Sequence, residues 1–221
     1  MTLTEALQQI HILLEKSTDY PSSTEGDYLV RKALVNNAIQ VWESEEGVLW
    51  NELFATLSSD DGDAQTSEDT ADYDCPSEFK FPCGFLRIGT QYYNLIRPSN
   101  VQTRDNDTTS HYWYVTGNAN SGYTFHISPT PTESDLDIKF DYYKSATLME
   151  EGDDIIEMSD PQFCVYWALY ELVKDEDPSL AQDYRDIALN KLRAMKTRNI
   201  MPAFWQDNQM DDYFQGSDFG K

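Results

Sequence analysis

Positive charge is scarce in this sequence. Its 221 residues include 16 Lys and Arg but 39 Asp and Glu, so the formal net charge at pH 7 is −23. A protein that binds nucleic acid through the phosphates needs a basic surface, because each neutralised phosphate releases condensed counterions. The composition therefore argues against nucleic-acid binding driven by charge.

Long apolar runs and paired cysteines are also lacking. The longest apolar stretch, from Phe163 to Tyr170, has eight residues, whereas a helix that crosses a bilayer needs about 20. The chain does not start with the basic, apolar and small-residue stretches of a secretory leader. Its three Cys residues are an odd number at irregular spacing. We therefore expect no membrane-spanning helix, no disulfide framework and a reducing compartment.

Sequence motifs for catalysis are absent as well. The sequence contains no G-x-S-x-G, no H-E-x-x-H and no phosphate-binding glycine loop, so we expect neither an enzyme nor a cofactor. Cys75, Cys83, His111 and His126 are residue types that bind zinc, but structural zinc sites bring two ligands within a few residues of each other. These four do not, and ordinary structural positions are the preferred interpretation.

The acids near residue 60 suggest a calcium loop at first sight. Gly62 and Glu68 match positions six and twelve of the twelve-residue calcium-binding loop. Position one then falls on Leu57 and position three on Ser59, so the first oxygen ligand is missing. We therefore predict a solvated acidic loop over residues 58–78, without a metal.

Hydrophobic side chains at helical spacing are plentiful near both ends of the chain. They predict helices over 3–14, 27–44 and 48–57, and two more that begin after Ser159-Asp160-Pro161 and at Asp177-Pro178. Thr2 and Glu5 have the form of a capping box. On the second helix the predicted core stripe is Val30, Leu34, Ala38, Val41 and Trp42.

The middle of the chain has the two-residue period of strands. Short β-rich runs with turn signals between them predict an antiparallel β-meander over residues 79–145. The whole is then an α+β protein, in which the helices of 1–57 pack as a bundle on those of 146–198 and the β region is inserted between them. We expect the aromatic face Phe163, Tyr166, Trp167 and Tyr170 to pack on the tryptophans of the N-terminal helices.

The last 23 residues, 199–221, have no continuous apolar face. Pro202, Gly216 and Gly220 oppose a helix. The segment nevertheless carries large aromatic side chains, which are Phe204, Trp205, Tyr213, Phe214 and Phe219. We predict a C-terminal arm that folds on a partner, with a frayed tail as the alternative.

A cluster of bases precedes the predicted arm. It contains Arg185, Lys191, Arg193, Lys196 and Arg198. In a chain this acidic, these side chains are predicted to contact acidic groups of a neighbouring subunit or of another partner.

The order of these parts resembles the head-tail adaptor (connector) proteins of tailed bacteriophages. The resemblance rests on the stretch from Val41 to Trp50, on Phe125 to Pro131, and on Ile138 to Tyr143 followed by an acidic linker. It also includes the helix from Phe163 to Leu172 and the next helix, which opens with Asp-Pro.

The resemblance implies a virion structural protein of the neck, assembled in the host cytoplasm. Similar proteins form a homo-oligomeric ring, usually a dodecamer, beneath the portal protein. The ring extends the channel for double-stranded DNA, which passes without specific binding, and docks the tail or the next neck component. The arm would hold the portal. Two alternatives from other classes are an acidic DNA-mimic inhibitor, suggested by the charge, and a hydrolase without a recognised motif.

Overall fold

Two units make up the part of the chain that the structure describes. The computed structural model describes residues 1–18, 25–58, 64–104 and 110–199. Within these residues, the helical unit consists of residues 1–53 and 146–199, and the sheet unit of residues 54–145. The predicted α+β class is confirmed.

Capping side chains fix where the first and the last long helix begin. The helices are α1 (Leu3–Glu15), α2 (Gly26–Glu43), the single turn α3 (Val101–Arg104), α4 (Gln162–Val173) and α5 (Pro178–Asn199). The capping box of α1 is present, because Glu5 N donates to Thr2 Oγ1 at 3.2 Å and Thr2 N donates to Glu5 Oε2 at 2.9 Å. Asp177 Oδ1 accepts from the first backbone amides of α5.

The interior of the helical unit centres on α4, which contacts α1, α2 and α5. The predicted aromatic face of α4 is only partly buried. Phe163 is fully buried, whereas Tyr166, Trp167 and Tyr170 are half-buried. The residues that fill the interior lie around most of the helix and are Phe163, Cys164, Val165, Ala168, Leu169 and Val173.

The prediction of a third helix over 48–57 is wrong. A 3₁₀ turn covers Asn51–Leu53, and the next residues form a strand that pairs with a strand near residue 140. Trp50 lies over Trp42 with ring centroids 5.2 Å apart, and its Nε1 donates to Trp42 O at 2.7 Å. Apolar residues three and four apart favour a helix, but pairing with the partner strand outweighs this local preference.

The sheet unit contains a seven-stranded sheet. Its strands are β1 (Phe54–Leu57), β2 (Asp72–Asp74), β3 (Phe79–Ile88), β4 (Gln91–Leu95), β5 (Tyr112–Asn118), β6 (Gly122–Ser128) and β7 (Ile138–Lys144). Their order is β1-β7-β3-β4-β5-β6-β2. Strands from both halves of this order supply one core, which includes Leu86, Trp113, Phe125 and Phe140, so the sheet curls around it.

The sheet is not the purely antiparallel meander that the sequence predicts. Strands β4 and β5 are parallel, with Asn94 opposite Tyr112 and Leu95 opposite Trp113. A parallel pair needs a connection of about a dozen residues or more, and residues 96–111, which include α3, provide it. Strand β7 returns to lie between β1 and β3.

The structure also corrects the solvated acidic loop. Residues 59–63 lie outside the described residues, but Ala64 belongs to the core of the sheet unit. Ala64 and Thr66 are buried, and Thr66 Oγ1 donates to Glu133 O at 2.8 Å and accepts from Leu136 N at 3.0 Å. Further along, β2 pairs with β6 as an edge strand. Small polar residues can thus be fixed by backbone hydrogen bonds that composition does not reveal.

Candidate interaction surfaces

Two of the predicted contact residues on α5 already have partners within the chain. Lys191 Nζ lies 3.3 Å from Asp160 Oδ2, and Lys196 Nζ lies 2.6 Å from Glu45 Oε1. Both ion pairs are partly exposed, where such pairs stabilise by about 0.2–1 kcal/mol. These two lysines therefore hold α5 on its own unit as well as contributing positive charge to its surface.

The three arginines of the cluster are more exposed. The guanidinium of Arg185 lies 6.0 Å from the centre of the Tyr170 ring, and Arg193 Nη1 donates to Asn190 Oδ1 at 3.2 Å. Arg198 is exposed near the end of α5. These side chains leave positive charge on the surface of an acidic protein, where it can guide association with acidic groups.

The end of α5 is fixed by Asn199. Its Nδ2 donates to Leu49 O at 2.6 Å, and its Oδ1 accepts from Asn51 N at 2.8 Å. The predicted arm begins at this residue, so its starting point in the helical unit is defined. Its other predicted contact residues lie outside the described residues, and they are Phe204, Trp205, Tyr213, Phe214 and Phe219.

The predicted core stripe of α2 is only partly confirmed, because Ala38 and Trp42 are buried but its other three residues are not. The buried face of α2 consists of Tyr28, Arg31, Val35, Ala38, Ile39 and Trp42. Val30 is 52% exposed, although the pattern placed it in the core. Arg31 is buried instead, since its Nη1 lies 2.7 Å from His11 Nδ1 and its Nη2 donates to Glu15 at 3.3 Å.

We call Val30, Leu34, Asn37 and Val41 the α2 surface stripe. Val30 and Asn37 are exposed, and the other two are half-buried. Asn37 Oδ1 accepts from Trp167 Nε1 at 3.1 Å, so the half-buried Trp167 borders the stripe. Three of these four residues belong to the core stripe that the sequence predicts, so their periodicity was visible and only their exposure was not.

The two histidines considered as zinc ligands, His111 and His126, contact other side chains of the sheet unit. His126 contacts Thr116 Oγ1 at 2.6 Å through Nε2 and Asp72 Oδ1 at 2.7 Å through Nδ1, and it stacks on Tyr114. His111 packs on the edge of Tyr93. Among the described residues, no three His, Cys, Asp or Glu side chains form a group that could hold a metal ion.

The network of Asp72, His126 and Thr116 has the order of groups found in a catalytic triad. Here the three residues lie on the neighbouring strands β2, β6 and β5, and the side chain of Asp72 is 67% exposed. An acid so open to water is poorly held to orient a histidine. The network is better explained as a tie between the edge strand β2 and the rest of the sheet.

One cavity, of about 380 Å³, lies beside Cys75 and Tyr123. Burial raises the pKa of the Cys75 thiol to about 12, and the charge of Asp74 adds to this rise. Burial likewise raises the pKa of Cys83 to about 11. Because the thiolate is the reactive form, neither thiol is activated as a nucleophile at neutral pH.

Comparison with known proteins identifies the family. The chain matches the family model described as SU10 adaptor protein over residues 1–210, which is nearly its whole length. The chain therefore belongs to the SU10 adaptor protein family. No curated protein matches it.

The family membership confirms the predicted resemblance to phage head-tail adaptors. The chain is thus a structural adaptor and a component of the virion, and it interacts with other phage head or tail proteins. None of the described helices combines the length and apolar character needed to span a membrane.

Proposed function

We propose that this protein forms a homo-oligomeric ring, a dodecamer, beneath the portal protein of a tailed phage. The ring extends the DNA channel and docks the tail or the next neck component. The observation that carries the proposal is the match to an adaptor family across residues 1–210. The proposed site is the virion neck, and assembly takes place in the host cytoplasm.

The charge of the chain is compatible with a channel for DNA. A net charge of −23 repels the phosphate backbone, whereas a basic lining would gain binding energy from counterion release at each phosphate contact. Double-stranded DNA can then slide past the ring without being held. The acidic composition supports passage and not specific binding.

Attachment to the portal is assigned to the arm of residues 199–221. Extended at about 3.3 Å per residue, a segment of this length spans up to about 75 Å. It starts at Asn199, which is bonded to the backbone at Leu49 and Asn51. The arm can therefore reach another molecule while its first residue stays fixed on its own subunit.

The decisive experiment removes residues 200–221 and measures binding to portal-bearing heads. We expect the shortened chain to keep the circular dichroism and melting temperature of the full chain but not to attach. A second variant, Phe204→Ala with Trp205→Ala, keeps the length and should weaken attachment. The matched control is Phe85→Ala with Tyr92→Ala, an exposed aromatic pair of the sheet unit whose ring centroids are 6.4 Å apart. Normal attachment of the shortened chain would contradict the assignment of the arm.

Light scattering distinguishes the proposed ring from the two other classes. A DNA mimic acts as a monomer or dimer and competes with DNA for a binding protein. A hydrolase would show activity on cell-wall or tail substrates. A mass of many subunits, free or on the portal, supports the ring and contradicts the DNA-mimic alternative.

A further inference from the structure

The two edge strands of the sheet differ in charge. Strand β2 carries Asp72 and Asp74, and the side chain of Asp72 is 67% exposed. Strand β1 lies at the opposite edge, where none of its residues, 54–57, is charged and Phe54 is 43% exposed. Edge strands of natural proteins are commonly protected against pairing with further strands by charged side chains. Strand β2 has this protection, and β1 lacks it.

The outer side of β1 is open for hydrogen bonding. Strand β1 pairs with β7 on one side, and no other strand of the described residues pairs with it. In an antiparallel pair, alternate residues direct their backbone N–H and C=O groups toward the partner strand. About half of the backbone groups of β1 therefore face away from β7. One further extended segment would satisfy these groups by adding a strand to the edge.

Asn199 fixes the start of the arm on the backbone that precedes β1. Its side-chain amide donates to Leu49 O at 2.6 Å and accepts from Asn51 N at 2.8 Å. A residue of a parallel strand makes the same two bonds, to a C=O and an N–H group two residues apart. The side chain of Asn199 thus imitates a strand residue beside Trp50. Because Asn51 is only three residues before Phe54, it lies at most about 10 Å from the start of β1.

The residues that follow Asn199 match the β1 edge in charge and in length. Residues 200–206 have the sequence Ile-Met-Pro-Ala-Phe-Trp-Gln, which contains no charged residue, and the acids of the arm begin at Asp207. Ile, Phe and Trp favour strands, and Pro is tolerated in an edge strand. The backbone from Asn51 to Leu57 extends over about 20 Å, and seven extended residues span about 23 Å. The segment is therefore long enough to follow β1 to its end.

We propose that residues 200–206 add to the free edge of β1 in the same chain, as a parallel strand that starts where Asn199 is fixed. The tether gives this segment a much higher effective concentration at β1 than a strand of another molecule has. An added edge strand opens locally without global unfolding, so it changes hydrogen exchange more than the melting temperature. The proposal goes beyond the proposed function, because it concerns the free chain and sets the direction in which residues 207–221 leave the subunit.

The first test is hydrogen exchange of the full chain without portal, followed by mass spectrometry. Ala203→Pro with Phe204→Pro removes two donors from the added strand and keeps the chain length. We expect the amides of β1 to exchange about tenfold faster in this variant than in the unsubstituted chain. The matched control, Gln209→Pro with Met210→Pro, changes the arm beyond the segment and should leave β1 unaffected. Equal exchange of β1 in all three chains would overturn the proposal.

The second test identifies the chain that supplies the strand. With Asn199 beside Trp50, the parallel register places residue 203 opposite residue 54, within the distance of a disulfide. The full chain with Phe54→Cys and Ala203→Cys should therefore form a disulfide within one chain under mild oxidation. The unsubstituted chain, with Cys75, Cys83 and Cys164, is the control for native thiols. A disulfide-linked dimer would show that the strand comes from a second copy, and this result would overturn the proposal.

The outcome is separate from that of the portal experiment, because both tests use the free chain. If the shortened chain still binds portal-bearing heads, the assignment of the arm to the portal fails, but the exchange of β1 is unaffected. If β1 exchanges equally fast with and without the prolines, this strand is contradicted and the attachment of the arm to the portal is not. Circular dichroism verifies that each variant folds.

Discussion

The interior of the sheet unit is largely aromatic, whereas that of the helical unit combines aliphatic side chains with a buried arginine. Phe140 lies within 5.0–5.2 Å of the ring centres of Trp113 and Phe125. In the helical unit Arg31 is buried and contacts His11 and Glu15. The stability of the sheet unit therefore depends on close packing of aromatic rings. The stability of the helical unit depends also on the hydrogen bonds that buried polar groups make with each other.

The largest effect is expected from the centre of the aromatic core. Phe140→Ala should lower the free energy of unfolding by about 3–5 kcal/mol, because it removes a buried ring and leaves a cavity. Urea denaturation measures the change, and Phe140→Leu, which keeps an apolar side chain, should cost less. A loss below about 1 kcal/mol for Phe140→Ala would mean that the sheet unit does not depend on this ring.

Two tryptophans of the helical unit provide a matched pair. Trp42 is fully buried, and Trp167 is half-buried. Trp42→Ala should cost about 3–5 kcal/mol, and Trp167→Ala only about 1–2 kcal/mol, because less apolar surface returns to water. Thermal melting of both variants tests this order. Equal losses would show that Trp167 belongs to the core, as the sequence pattern predicted.

The buried Arg31 tests the polar part of the helical interior. Arg31→Met should lower the free energy of unfolding by about 1–3 kcal/mol, because His11 and Glu15 lose a hydrogen-bond donor. The adjacent Lys32 is half-buried, and its Nζ donates to Glu150 O at 2.9 Å. Lys32→Met is the control and should cost less. A more stable Arg31→Met protein would show that burying the charge costs more than its partners return.

The smallest expected effect on stability concerns the turn of residues 150–154. Backbone amides of Glu151 and then Glu150 donate to Asp154 and hold the pKa of its carboxyl below the usual value. Such a group adds stability above its unfolded pKa of about 3.9, and this contribution is lost as the pH falls through the folded value. Asp154→Asn should therefore flatten the fall in Tm between pH 5 and pH 2.

The control for this turn is Asp153→Asn. Asp153 is exposed in the same turn, and its replacement should leave the acid dependence of Tm unchanged. If both variants flatten the fall equally, general charge repulsion and not the hydrogen bonds of Asp154 sets the acid response.

Signals that act within a few residues were read correctly from the sequence. The capping box of Thr2 and Glu5 and the Asp177-Pro178 start of α5 need no distant partner. The arm could be proposed from composition, and its function stays a prediction because it lies outside the described residues.

Local signals did not show which side of α2 faces the interior. Val30 and Arg31 are adjacent, and hydrophobicity alone places the valine inside. His11 and Glu15 on α1 provide the hydrogen bonds that allow Arg31 to be buried, and the valine then faces solvent. The exposure of Val30 therefore became visible only with the partner helix in place.

The sequence by itself determined the α+β composition, the starts of the main helices, the acidic character of the chain and its resemblance to phage adaptors. Only the tertiary structure decided that residues 54–57 form a strand, that β4 and β5 run parallel and that Arg31 is buried. The physical reason is the sequence distance over which each interaction acts. Caps and charge act within a few residues or over the whole chain, whereas strand pairing and buried polar groups need particular partners far away in sequence.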